Sequence, residues 1–142
     1  MWFGNRCYPP RDVELALESL FGEPVRQIKV VQYSIYVRWH MRAIATTRPN
    51  RIYLRGSGKE FFADAPLVLH EYFHVIRQWA TGDLTIPRYL LECFRRGYWD
   101  NRYEIDAREF TTSELMRYRA LLAQYRQDSL PPGVRPIRKK SA

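Results

Sequence analysis

The apolar positions of this chain change period several times, and each change marks an element. From Pro10 to Phe21 they recur as Val13, Leu17, Leu20 and Phe21, one face of a helix, with Gly22 placed to end it. After Glu23-Pro24 the pattern becomes strand-like. Val25, Ile28, Val30, Val31, Tyr33, Ile35, Tyr36 and Val37 alternate or cluster, and a first strand is predicted near residues 25 to 32. Two further short strands, 43–47 and 50–55, flank the turn signal Arg48-Pro49-Asn50 and complete a small antiparallel sheet. Gly56-Ser57-Gly58 reads as a flexible junction.

A helical period then runs from Pro66 to Thr81, PLVLHEYFHVIRQWAT, with Asp64 as N-cap and Pro66 in the first turn. Its apolar residues cover most of the circumference, which predicts a buried helix, and leave a polar stripe of His70, Glu71, His74, Arg77 and Gln78. Each group of a buried stripe needs a partner. Thr81-Gly82-Asp83 stops this helix. Pro87 to Arg96 predicts another, with Thr85 as cap, Gly97 beyond its end, and Leu90, Leu91, Phe94 and Tyr98 as its inner face. Asn101 to Phe110 begins one more, which Ser113 to Gln127 continues or restarts after Thr111-Thr112-Ser113. The sum is an α+β fold: a small antiparallel-rich sheet packed against the motif helix and C-terminal helices. One domain over residues 1–128 is expected, followed by a basic tail, 129–142, whose three prolines and few apolar residues predict disorder.

A length of 142 residues fits one domain with an ordinary core. No apolar run approaches the ~20 residues that cross a bilayer, and no secretory signal pattern opens the chain, so cytoplasmic residence is expected. Cys7 and Cys93 have no second Cys or His at ligand spacing, which excludes a Cys-based zinc site, and in a reducing compartment they read as free thiols. The net charge of +8 comes mostly from arginine and favours acidic partners. Nucleic acid is one such partner, ranked low because no signature of a nucleic-acid fold accompanies the charge.

The chemistry lies in the stripe. His70, Glu71 and His74 spell H-E-x-x-H. Residues four apart stand on one helix face, so two imidazoles there can share a metal ion, while the adjacent Glu71 can reach a water beside the metal and act as general base. With three His and nine Glu in the chain, a chance occurrence has a probability of roughly 0.4%. His40, the third histidine, has nothing near it at ligand spacing and reads as structural.

A hydrolytic zinc site takes three protein ligands and a water. The downstream candidates are Asp83, Glu92, Asp100, Glu104, Asp106 and Glu109. Glu104 is preferred because it opens a separate helix able to cross the motif helix, with the small Ala107 three residues on. Asp106 lies roughly 200° around that helix and cannot share its metal face. The competing reading makes Asn101 and Glu104 a capping box, with the carboxylate on backbone N–H groups.

HEYFH followed some thirty residues later by Glu104 in EIDAR resembles the gluzincin pattern H-E-x-x-H plus E-x-x-A-D. The preceding segment AIATTRPNRIYLRGSGKEFFADAPLVLHEYFHVIRQW is similar to the short bacterial minigluzincin-like domains, including those found with extracellular contractile injection systems. The resemblance covers roughly residues 10 to 110. It implies Zn2+ held by His70, His74 and Glu104, with Glu71 as base of a metallopeptidase acting on protein or peptide substrates. Arg108 stands where the family carries an acidic residue, so the outer N–H of a ligand histidine needs another acceptor, with Asp100, Asp106 or a backbone carbonyl as candidates. Tyr72, Tyr98, Arg102 and Tyr103 are the candidate oxyanion donors. Two other readings compete: a zinc-stabilised interaction module without efficient catalysis, and a DNA-associated SprT-like protease, whose usual third histidine is missing downstream.

Overall fold

The structure, a computed structural model, describes residues 4–38 and 44–134. In chain order the elements are β1 (Asn5–Cys7), α1 (Arg11–Phe21), β2 (Lys29–Gln32), α2 (Ile35–Arg38), β3 (Ala45–Arg48) and β4 (Arg51–Leu54). There follow α3 (Gly58–Ala63), α4 (Ala65–Phe73) with a π-helical continuation His74–Trp79, α5 (Ile86–Arg96) and α6 (Arg102–Asp128). The class is α+β, as expected.

The sheet has the order β1-β2-β4-β3. It is antiparallel-rich, with β1 against β2 and β3 against β4, but β2 and β4 run parallel and join the two hairpin-like halves. The strand expected over 25–32 is confined to its second half. Val25 and Ile28 are buried in a turn closed by Ile28 N–H to Val25 C=O, 3.0 Å. The β-branched run continuing to Val37 is a helical turn instead. Tyr33 has a left-handed φ of 53°, which redirects the chain before Ile35. β3 and β4 meet at Pro49-Asn50, where Asn50 takes φ 60°.

Gly56-Ser57-Gly58 is anchored, contrary to the flexible junction expected. Ser57 caps α3 by accepting from Glu60 N–H at 3.2 Å, and Gly58 N–H donates to Gln32 Oε1 at 2.8 Å. A Cβ at Gly58 would lie 2.6 Å from Cys7 Sγ, so only glycine allows β1 and α3 to approach this closely. Cys7 and Cys93 are both free thiols.

One core forms between α1, α3, α4, α6 and the inner face of the sheet. Leu17, Val30, Ile52, Leu69, Tyr72 and Tyr118 are its large, fully buried members. α6 runs unbroken through Thr111-Thr112-Ser113. Each hydroxyl folds back onto a backbone carbonyl of the preceding turn, at 2.8 to 3.0 Å, and so leaves the helix intact. The inner face expected for α5 is absent. Leu90, Leu91, Phe94 and Tyr98 are exposed, and no α5 residue is buried. Its stripe is real, but it faces away from the core. His40 and residues 135–142 of the basic tail lie outside the described residues. No helix among the described residues is long and apolar enough to cross a membrane.

Candidate metal centre

Asp64 starts α4 by accepting from Leu67 N–H at 3.2 Å, with Pro66 in the first turn as expected. Val68, Leu69 and Tyr72 fix the helix in the core, and His70, Glu71 and His74 of the polar stripe line a cleft of about 630 Å³, while Arg77 turns to the Phe21 carbonyl at 3.2 Å. The cleft is lined by His70, Glu71 and His74, by residues of β3, and by Tyr89 and Leu90 of α5. The helix does not continue as a plain α-helix to Thr81. From His74 it widens into π register, with Ala80 N–H reaching Val75 C=O at 3.0 Å. Such insertions are rare and recur at functional sites.

α6 crosses this stripe. Glu104, in its first turn and buried, brings Oε2 to 2.9 Å from His70 Nε2 and 3.4 Å from His74 Nε2, while the two Nε2 atoms are 3.1 Å apart. A tetrahedral ion with donors at about 2.1 Å sets those donors about 3.4 Å apart, so the three atoms need little adjustment to ligate one cation. The cluster of His70, His74 and Glu104 could hold a metal ion. The capping-box alternative is half realised. Asn101 caps α6 by accepting from Tyr103 N–H at 2.9 Å, but the Glu104 carboxylate is turned to the histidines. Ala107, one turn on, has no exposed surface and lets α6 lie close.

The acceptor demanded by His74 is Gln78, an amide and not one of the acidic candidates. His74 Nδ1 and Gln78 Oε1 are 2.6 Å apart, and Gln78 Nε2 donates to the Tyr103 carbonyl at 3.0 Å. The second bond fixes which end of the amide faces the imidazole. Nδ1–H therefore donates, and the lone pair of neutral His74 is left on Nε2, aimed at the cluster. Its signal was present in the sequence, since His70, His74 and Gln78 repeat at four-residue intervals. Asp100 and Asp106, the acidic alternatives, are exposed and do not serve. Arg108 points elsewhere, stacking over Trp99 at 4.1 Å and donating to its carbonyl.

Tyr89 was also missed. Its hydroxyl donates to Glu104 Oε1 at 2.9 Å, leaving Oε2 for the cluster. Nothing in the sequence distinguishes Tyr89 from the other nine tyrosines. Of the remaining acids, Asp83 pairs with Arg102 at 3.2 Å and Glu92 faces Arg96 at 3.8 Å, both away from the cluster. Among the oxyanion candidates only Tyr98 lines the cleft. Tyr72 is in the core, and Tyr103 and Arg102 are engaged with Asp83.

The electrostatics suit a cation. Burial works against ionisation of Glu104, but hydrogen bonds from His70 and His74 outweigh it and hold the carboxyl below its ordinary range. Burial likewise opposes protonation of His74, and the Glu104 hydrogen bond with the charge of Glu71 overcomes it, raising its pKa. Burial pushes the Glu71 carboxyl up, against the pull of His74 and His70.

No protein-family model matches this chain, nor does any curated protein or solved structure.

Proposed function

We propose that the chain is a zinc-dependent metallopeptidase of gluzincin type, with His70, His74 and Glu104 as ligands and Glu71 as general base. The observation that carries this reading is the convergence of two imidazole nitrogens and a carboxylate oxygen within 3.4 Å, with Glu71 beside them on the same cleft. Two nitrogens and one hard oxygen, with His74 and Glu104 buried and His70 half-buried, form a donor set that suits zinc. When bound there, zinc would polarise a peptide carbonyl and make a water nucleophilic at neutral pH.

The protein's own groups supply the rest. Glu71, its pKa raised by burial, takes a proton from the attacking water on a carboxylate oxygen as the water oxygen bonds to the carbonyl carbon. It returns that proton to the amide nitrogen as the C–N bond breaks. Tyr98 lines the cleft and serves in this reading as the donor to the carbonyl oxygen as charge develops. β3 is the terminal strand of the sheet and lines the cleft, and among the described residues it pairs only with β4. An extended peptide can align along such an edge through backbone hydrogen bonds.

Glu71→Gln preserves shape and removes the base. It is expected to retain the metal while lowering peptide turnover by roughly 100- to 10,000-fold. Undiminished turnover in that variant would reject the mechanism. A zinc-loaded wild-type protein that cleaves nothing in a broad peptide screen would instead favour a zinc-stabilised interaction module.

A further inference from the structure

The cleft wall carries one charged side chain that the hydrolytic mechanism does not use. Arg48 ends β3 and lines the same cleft as His70, Glu71 and His74, and among the described cleft-lining residues it is the only arginine or lysine. Its guanidinium is held on neutral acceptors. Nη1 donates to the Thr47 carbonyl at 2.7 Å and Nη2 to the Tyr36 hydroxyl. The guanidinium carbon lies 5.2 Å from the Tyr36 ring centroid and 6.0 Å from that of Trp79, so two aromatic faces set its plane. Trp79 is itself tied down, its indole N–H donating to Thr47 Oγ1 at 3.0 Å.

No carboxylate forms an ion pair with this cation among the described residues. Arg11, Arg96, Arg102, Arg117 and Arg126 each meet one. Arg48 instead stands directly across the hairpin from Arg51, a like-charged pair that costs the strand stability and adds to local positive potential. A hairpin stop alone needs none of this: no half-buried cation, no aromatic clamp and no opening onto the metal cleft. The planar fork of arginine is suited to a carboxylate, and its remaining N–H donors are without a protein partner among the described residues.

We propose that Arg48 is a specificity residue that binds a carboxylate of the peptide lying in the cleft, either an Asp or Glu side chain or the free C-terminus. This rests on the peptidase reading for its consequence in turnover, but the carboxylate site itself can be tested by binding. The chain's net charge of +8 would bring acidic peptides to the cleft in the first place.

The test uses the full, zinc-loaded chain and matched peptides that differ only by Glu against Gln at successive positions, each with a free or an amidated C-terminus. Wild type should favour one carboxylate-bearing form over its neutral twin by roughly 10- to 100-fold in kcat/KM, mostly through KM. In Arg48→Met that ratio should fall to near one, and Arg48→Lys should recover part of it, with melting curves checking that both variants fold. Loss of preference on amidation assigns the C-terminus, whereas loss on Glu-to-Gln exchange assigns a side chain. Cleavage without carboxylate preference, or a preference that survives in Arg48→Met, would overturn the proposal and leave the peptidase reading intact. If no peptide is cleaved, the peptidase reading fails. The carboxylate site then stands or falls on whether fluorescent acidic peptides bind wild type more tightly than Arg48→Met in a salt-dependent anisotropy titration.

Discussion

His74 can ligate a cation only through a lone pair on Nε2, and Gln78 is what keeps that lone pair there. Gln78→Leu retains bulk and removes the acceptor. It is expected to lower metal affinity roughly 10- to 100-fold, measured by competition with a chromophoric chelator, and an unchanged affinity would remove Gln78 from this role. The same residues set a pH dependence. His74, with its pKa raised above the ordinary 6.5, contributes stability to the metal-free protein below that value and loses it as pH rises through the folded pKa. Glu104, with its pKa lowered from 4.5, contributes above that value and loses it as pH falls through its folded pKa. Glu71, raised by burial, adds to the loss as pH rises. Metal-free protein should therefore melt highest between pH 4.5 and 6.5 and lose stability as pH rises beyond that window. A melting temperature that climbs steadily from about pH 6 to about pH 8 without metal would contradict this linkage. At this scale the sequence showed much of the cluster. H-E-x-x-H fixes two donors by helix geometry, and a carboxylate three residues before a small alanine gave Glu104. Tyr89 was invisible, because its role depends on how α5 approaches α6 and not on any spacing.

α4 and α6 hold the site as a crossed pair, and their closeness depends on Ala107. Ala107→Leu is expected to cost about 1–3 kcal/mol by overpacking and to weaken metal binding as it displaces Glu104. Urea denaturation with and without zinc checks both effects, and a fully tolerated leucine would mean that the helices do not meet there. The π-helical segment was not legible, since the apolar pattern of VLHEYFHVIRQW fits an α-helix equally well. Widening from His74 onward is a tertiary outcome, with Gln78 drawn to Tyr103 and Trp79 to Thr47. The orientation of α5 was not legible for a related reason. An amphipathic stripe tells that a helix has two faces, not which one the core receives. α5 is attached by its polar side, through the Tyr89 hydroxyl on Glu104 and Asn101 Nδ2 on the Tyr89 carbonyl at 3.4 Å, and its leucines border the cleft and solvent.

Among the described residues, a short sheet and the core helices α1, α3, α4 and α6 together present His70, Glu71 and His74 to a cleft. The α+β class and the extents of α1, α4, α5 and α6 followed from period and capping residues, whereas the short helices α2 and α3 did not. The sheet order did not, because β1 is three residues long and the parallel β2–β4 pairing depends on contacts far apart in sequence. His70 and Glu104, separated by 34 positions, come together only through that packing. A bound ion would tie α4 to α6, so metal occupancy and the architecture of the cleft are one question. Zinc-edge X-ray absorption on the purified chain, alongside metal stoichiometry, addresses it most directly. The expected result is one zinc per chain in a shell of nitrogen and oxygen donors at about 2.0–2.2 Å with imidazole scattering, lost in Glu104→Ala and His74→Ala. A chain that binds no zinc, or a sulfur-containing shell at about 2.3 Å, would contradict a centre built from His70, His74 and Glu104.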